Sequence, residues 1–315
     1  MNHRINQDLN KVAIIGCGKV GMTAAYALLL KNVVNELVLI GRSQAELTGE
    51  QLDLEHGLNF LGAAKIFSSI NYEDMAKSDV VVITAGVAQK PGETRLDLTV
   101  KNLAIIEEII PKIVQYAPEA VIVIVSNPVD ILTYRAYQIA GLPKGRIFGT
   151  GTMLDSARFR FHLSEFLKVN PRSIHAYVLG EHGDSSFPAL SSAIVGGQSL
   201  LSLPNFSETK ALAAFEATRS AAYKIIAAKG ATYYAIGTVI SQVVEHILRD
   251  SRRVLSLSIP LHGYHDYYGV ALSVPCVLGR SGVEQALEIK LSWEEKLKLA
   301  HSVETLKKYL PKTPA

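Results

Sequence analysis

Residues 12–30, VAIIGCGKVGMTAAYALLL, are apolar enough to suggest a membrane anchor or an export signal, and the fold of the chain turns on how this run is read. Lys19 and three glycines stand in its middle. Each glycine would weaken a helix by about 1 kcal/mol, and a lysine at a bilayer centre costs at least about 2.5 kcal/mol. As strand, turn and helix the same residues carry no such conflict. KVAII (11–15) is short and β-branched, GCGKVG is the turn, and MTAAYALLL consists of good helix formers. Gly16, Gly18 and Gly21 form G-x-G-x-x-G at the strand-to-helix junction. The first permits a tight turn, the second lets backbone approach a pyrophosphate, and the third lets the helix pack on the strand. Helix N-terminal amides then meet the phosphate charge. Without a ligand, the same glycines would simply make a tight turn.

A second strand, ELVLI (36–40), follows after about 20 residues, the span of one right-handed βαβ crossover. VVVIT (80–84) and AVIVIVS (120–126) are nearly all apolar and end in turn residues. Strands apolar on both faces predict a parallel sheet covered by helices, so residues 1–150 read as a doubly wound α/β domain of the Rossmann kind. Beyond residue 150 the texture changes to long helical stretches, LDSARFRFHLSEFL and ALAAFEATRSAAYKIIAAKG. SIHAYVLG, RVLSLSIPL and YGVALSVPCVLG alternate or carry prolines, as antiparallel strands do. Residues 151–315 therefore read as an α+β substrate domain, closed by an amphipathic helix in KLSWEEKLKLAHSVETLKKYL.

Hydrophobic residues at 48% and charged ones at 19% exclude extensive disorder, and a net charge of +3 demands no nucleic-acid partner. RDSRR (249–253), the densest basic cluster, reads as a solvated helix end. Cys17 and Cys276 make neither a disulfide framework nor a CxxC metal site, so both are expected to be core thiols in a reducing, cytoplasmic compartment. His262, His265 and Asp266 in LHGYHDYYG are explained by a hairpin loop, and no metal site is expected. The pair Tyr233–Tyr234 reads as helix packing.

AGVAQKPGETRLDL, SNPVD, LDSARFR and GEHGD follow the glycine turn in this order, at strand ends or in loops. With these motifs the chain resembles the lactate/malate dehydrogenase family from end to end, and within it the bacterial lactate branch. The chemistry agrees. Oxidising a 2-hydroxy acid needs a proton acceptor, a cation for the carboxylate, a polariser for the carbonyl and a hydride acceptor. His182 in GEHGD matches the family's proton-transfer residue, and an imidazole both takes and gives a proton near neutrality. Asp155 matches its carboxylate partner, which fixes the tautomer and favours the imidazolium. Arg158, three residues on and so on the same helix face, matches the bidentate grip on the substrate carboxylate. Alone, Asp155 and Arg158 would read as a surface ion pair. Arg95 matches the arginine of a mobile lid that polarises the substrate carbonyl, and Asn127 a residue beside that carbonyl, with Pro128 expected to be cis.

At Gln89, malate dehydrogenases carry an arginine for a second carboxylate, whereas the lactate branch carries glutamine. Together with Thr232 in KGATYY, whose bulk closes the pocket around a methyl group, this implies pyruvate/lactate over oxaloacetate/malate. The resemblance implies NAD as cofactor, held by Gly16, Gly18, Val20, Gly21 and Asn127. Where the family's strand-ending aspartate binds the ribose hydroxyls, this chain has Gly41 followed by Arg42, which removes the repulsion against a 2′-phosphate and admits NADP; with Arg42 turned to solvent, the chain would simply bind NAD less discriminately. Arg160 and His175 match the fructose 1,6-bisphosphate site at a subunit interface of the allosteric bacterial tetramers, where like charges would repel until a bisphosphate bridges them; without an effector they would simply be interface residues. The alternatives are malate dehydrogenase or another 2-hydroxy acid dehydrogenase of the family, a non-enzymatic nucleotide-binding protein, and an NAD-dependent glycosidase. The second would have no need of His182, Asp155, Arg95 and Arg158 together, and the third needs a metal site.

Overall fold

The structure, a computed structural model, describes residues 10–87 and 95–310, with Arg95 described by its backbone only. β1 (Lys11–Ile15) leads through the glycine turn into α1 (Lys19–Lys31), and β2 (Glu36–Ile40) into α2 (Gln44–Gly57). β3 (Lys65–Ser69), β4 (Val80–Ile83), α3 (Arg95–Tyr116), β5 (Val121–Ile124), α4 (Val129–Ala140) and β6 (Ile147–Gly149) follow. The six strands pair in parallel in the order β3-β2-β1-β4-β5-β6. The strand order reverses between β1 and β4, and the glycine turn lies at that switch point, where such sheets open a crevice for ligands.

β1 shows how the sheet divides the core. Val12 and Ile14 face α1 together with Leu28 and Val243, while Ala13 and Ile15 pack on the other side with Ile106, Ile110 and Leu132. Two strands of the parallel sheet are absent from the sequence reading. KIFSS (β3) is half exposed at the sheet edge and IFG (β6) has three residues, so neither carries a run long enough to register as a periodicity.

The second half begins with α5 (Met153–Leu167) and continues through the two-residue strands β7 (Ile174–His175), β8 (Val178–Leu179), β9 (Phe187–Pro188), β10 (Ile194–Val195) and β11 (Gln198–Ser199). SIHAYVLG is thus two short strands in two different small sheets, not one. Then come α6 (Glu208–Lys229), α7 (Tyr234–Leu248), the long antiparallel pair β12 (Arg253–Tyr264) and β13 (Tyr267–Gly279), β14 (Gly282–Ala286) and α8 (Trp293–Lys307). His265 and Asp266 form the β12–β13 turn, both at positive φ. The antiparallel strands do not make a separate sheet. Ser258 of β12 pairs with Gly149 of β6, which extends the parallel sheet to nine strands.

Cys276 is a core thiol, but Cys17 is only half-buried, at the glycine turn. The RDSRR stretch is exposed throughout, as its charges require. Among the described residues, no helix is long and apolar enough to cross a membrane.

α8 is fixed by a capping box in which Ser292 Oγ accepts from the Glu295 amide (3.2 Å) and Glu295 Oε2 accepts from the Ser292 amide (2.9 Å). The same buried Glu295 carboxylate also accepts from the Ser191 amide at 2.9 Å. Ser292→Ala is expected to cost about 1 kcal/mol, whereas Glu295→Ala strands several donors and costs more, at about 1–3 kcal/mol for each one left buried. Urea denaturation of the two variants checks the order.

Candidate active site

The glycine turn is shaped by what it excludes. Gly16 sits at φ +102, where a Cβ would lie 2.4 Å from the Ala85 nitrogen. A Cβ on Gly21 would stand 2.1 Å from the Gly16 carbonyl oxygen, so the close approach of α1 to the turn depends on Gly21, as the approach of the turn to the end of β4 depends on Gly16. Gly18 differs, since a Cβ there would meet nothing within 4 Å. Its backbone faces open space, as a pyrophosphate cradle requires. Val20 is half-buried against the core behind the loop. At the end of β2, Gly41 donates to the Ser69 carbonyl (3.2 Å), Arg42 is exposed, and the Ser43 hydroxyl is already engaged in capping α2 through the Glu46 amide (3.4 Å).

The second part of the site gathers on α5. Asp155 and Arg158, one turn apart, form an ion pair from Oδ1 to Nη1 at 3.2 Å. Asp155 Oδ2 meets His182 Nδ1 at 2.7 Å, so one carboxylate holds both groups. His182 lies in the loop after β8, and the loop is anchored by paired backbone bonds between Gly180 and Ser273 of β13. Thr152, just before α5, bonds to Ser256 Oγ (2.7 Å) and ties the helix start to β12. Burial opposes ionisation of both His182 and Asp155, but their mutual charge and hydrogen bond outweigh it. The imidazole is raised above its ordinary 6.5 and the carboxyl, aided by Arg158, lowered below its ordinary 3.8. Arg158 Nη2 is buried and, among the described residues, has no hydrogen-bond partner.

Sequence reasoning missed Asp130. This fully buried carboxylate accepts from the His182 amide (2.7 Å) and from Ser258 Oγ (2.6 Å). Burial pushes its pKa up to about 6, against those two hydrogen bonds and the charge of His182. Its sequence signal, the D of SNPVD, stood in a quoted motif, but nothing local showed that β12 and the histidine loop converge on it. Asn102 was missed as well. Its side chain joins the Val87 backbone (2.8 Å to the amide) to the Asn127 carbonyl (2.7 Å).

Asn127 follows β5 with its side chain exposed and its peptide to Pro128 cis. Thr232 is half-buried in the loop between α6 and α7. Gln89 and the Arg95 side chain lie outside the described residues. Arg160 is half-buried near Tyr177 and Arg253, and burial first, then the Arg253 charge, lowers its pKa. His175 is exposed on β7. The tyrosine pair is not helix packing. Tyr234 is 67% exposed, and the Lys229 ammonium lies over both rings. Among the described residues, no three His, Cys, Asp or Glu side chains are grouped to hold a metal ion.

Residues 10–149 match the lactate/malate dehydrogenase NAD binding domain, and residues 152–315 the alpha/beta C-terminal domain of the same family. The chain belongs to the lactate/malate dehydrogenase family. This member is 44% identical over 301 residues to an L-lactate dehydrogenase of Synechococcus sp. (strain JA-3-3Ab), covering 95% of the chain and 98% of the relative. It is also 44% identical to one from Thermoanaerobacterium saccharolyticum, covering 95% and 97% of the two chains. The crystal structure of the minor L-lactate dehydrogenase of Enterococcus mundtii, in a ligand-bound form, superposes with a TM-score of 0.92 at 38% identity, covering 96% and 97%.

The glycine geometry separates cofactor binding from folding in this family member. Gly21→Ala is expected to lower Tm, because its Cβ would meet backbone, whereas Gly18→Ala leaves Tm unchanged and weakens NADH binding. Thermal melts and fluorescence titration of the two variants, side by side, check this.

Proposed function

We propose that the chain is an L-lactate dehydrogenase that reduces pyruvate reversibly to (S)-lactate with NADH. The observation that carries this reading is the Asp155 carboxylate, bonded at once to His182 and Arg158 while Arg158 Nη2 stays buried and without a partner among the described residues. A buried guanidinium with a free donor is matched to a second carboxylate, and the substrate supplies one.

In this reading Arg158 binds the substrate carboxylate with bonds worth roughly 1.5–3 kcal/mol each. His182, protonated through Nε2, gives its proton to the carbonyl oxygen as that oxygen becomes an alkoxide. Asp155 holds the ring by Nδ1 and stabilises the imidazolium before transfer. Arg95 polarises the carbonyl, and Asn127 lies beside it. When bound, the nicotinamide supplies or accepts the hydride at the substrate carbon. The open cradle at Gly18 fits its pyrophosphate. In the reverse direction neutral His182 takes the hydroxyl proton.

Gln89 and Thr232 favour the pyruvate/lactate pair, because a second carboxylate beside Gln89 would have no cation to neutralise it. Adding pyruvate to enzyme and NADH should bleach the nicotinamide absorbance band, with kcat/KM well above that for oxaloacetate. The opposite ranking would make the enzyme a malate dehydrogenase, and no turnover with either would remove the reading altogether.

Pyruvate reduction needs the imidazolium. Because the His182 pKa is raised above 6.5, chiefly by the Asp155 carboxylate against the cost of burial, kcat/KM should fall as pH rises through that higher value. Asp155→Asn removes the raising charge, moves the limb to lower pH and lowers kcat by a factor of about 10²–10⁴. Asp130→Asn, which can keep its hydrogen bonds to His182 and Ser258, shifts the limb in the same direction by less. pH–rate profiles of the three proteins check the order.

Finer assignments concern the compartment, the assembly, an effector at Arg160 and His175, and the cofactor choice at the end of β2. The enzyme works in the cytoplasm as a homotetramer that fructose 1,6-bisphosphate activates through Arg160 and His175, and Gly41–Arg42 lets it use NADPH beside NADH. Titrating the sugar bisphosphate at low pyruvate should lower the apparent KM, and the effect should vanish in Arg160→Gln. An unchanged KM would remove the effector.

A further inference from the structure

α1 and α7 run parallel in constant register. Lys31 pairs with Glu245 at one end, 214 residues apart in the chain, and Lys19 lies over the Tyr233 ring at the other, its Nζ 5.8 Å from the centroid, at the same separation. Between them Gly237 approaches Thr23 so closely that a Cβ on the glycine would lie 2.6 Å from Thr23 Cγ2. The crossing is therefore fixed by packing, and it holds the start of α7 against the glycine turn of the other half.

The side chains brought there are positively charged. Lys19 belongs to the glycine turn itself, one residue after Gly18. Lys229, in the last turn of α6, places its ammonium 3.5 Å from the Tyr233 ring centroid and 4.0 Å from that of Tyr234, and the two rings lie 4.6 Å apart. Hydrogen bonds from Lys229 and Tyr234 lower the Tyr233 phenol below its ordinary value. Among the described residues neither lysine, both of them exposed, has a carboxylate partner, so their charges are not neutralised within the chain. Two ammonium groups gathered around one aromatic ring repel each other, and the cation–π attraction that holds them there is only about 0.5–1 kcal/mol at an exposed site. An anion beside them removes the repulsion.

The geometry points to Lys229, positioned by Tyr233, as a second grip on the cofactor's pyrophosphate from the C-terminal half of the chain, acting with Lys19 across the open space at Gly18. The glycine turn offers only backbone amides to the phosphates, whereas this cluster adds side-chain charge. It also makes cofactor binding draw on both halves of the molecule. Tyr233 is a positioning residue, since its ring seats the ammonium. The inference rests on the reading of the chain as a dinucleotide-dependent enzyme, because only that reading puts a pyrophosphate on the turn.

The test uses the full-length protein and NADH as the titrant, with Kd read from nicotinamide fluorescence. Lys229→Gln should raise Kd roughly 3- to 10-fold at low salt, as loss of one charge-assisted contact does. The difference should shrink near 1 M salt, where the screening length is about 3 Å. Lys229→Arg should restore most of the affinity, Tyr233→Leu should weaken binding as Lys229→Gln does, and Tyr233→Phe, which keeps the ring, should weaken it less. Tm without cofactor should be unchanged. An unaltered Kd in Lys229→Gln at low salt overturns the inference, and so does a loss of affinity that tracks a fall in Tm. If the unsubstituted protein itself binds no NADH, the dehydrogenase reading fails instead, so the two failures are distinct.

Discussion

The site hangs on one carboxylate. Asp155 spends Oδ2 on His182 and Oδ1 on Arg158, so the distance between the proposed proton donor and the proposed carboxylate grip is set by the width of a single side chain. The two cations would otherwise repel, and the Arg158 charge does depress the imidazole pKa. A shared anion converts that repulsion into a fixed triad. It also explains why α5 must start where it does. The buried hydroxyls of Thr152 and Ser256 hold the first turn against β12, and a helix displaced by one residue would turn Asp155 away from His182.

Rigidity behind that triad comes from the sheet. β6 ends at Gly149 and β12 passes Ser258 beside it, so the parallel sheet and the long antiparallel pair share one hydrogen-bonded edge. Ser258 uses its backbone to join the sheet and its hydroxyl to bind Asp130, which in turn holds the His182 amide. The His182 loop is thereby referred to the same sheet that carries the glycine turn. α1 and α7 supply a second such tie on one face of the sheet.

Much of this was legible in the sequence because it depends on local chemistry. The glycine spacing 16, 18, 21, the apolar runs of β1, β2, β4 and β5, and the i, i+3 pair on α5 each declare themselves within a few residues. What was not legible depends on partners far away. β3 and β6 are strands only because β2 and β5 offer edges to pair with. Asp130 looks like an ordinary helix-start acid until Ser258, 128 residues later, closes over it. Tyr233 and Tyr234 have the composition of packing residues, yet α7 begins between a lysine-bearing helix end and the glycine turn, so the rings face cations rather than core.

Asp130 shows what the site costs the fold. Its folded pKa, about 6, lies above the ordinary 3.8, so between those values the folded state binds the proton more tightly than the unfolded chain does. Stability therefore falls as pH rises through this window, and at neutral pH the ionised, buried group costs about 3 kcal/mol relative to a carboxylate left in water. An apolar residue would avoid that cost but would leave the His182 amide and the Ser258 hydroxyl buried without an acceptor. The same unneutralised charge also raises the His182 pKa, adding to the effect of Asp155. An imidazole raised above its ordinary pKa although burial opposes its charge draws on negative potential from more than one side. Asp130 supplies it from beneath the loop, where no substrate or solvent competes for the carboxylate.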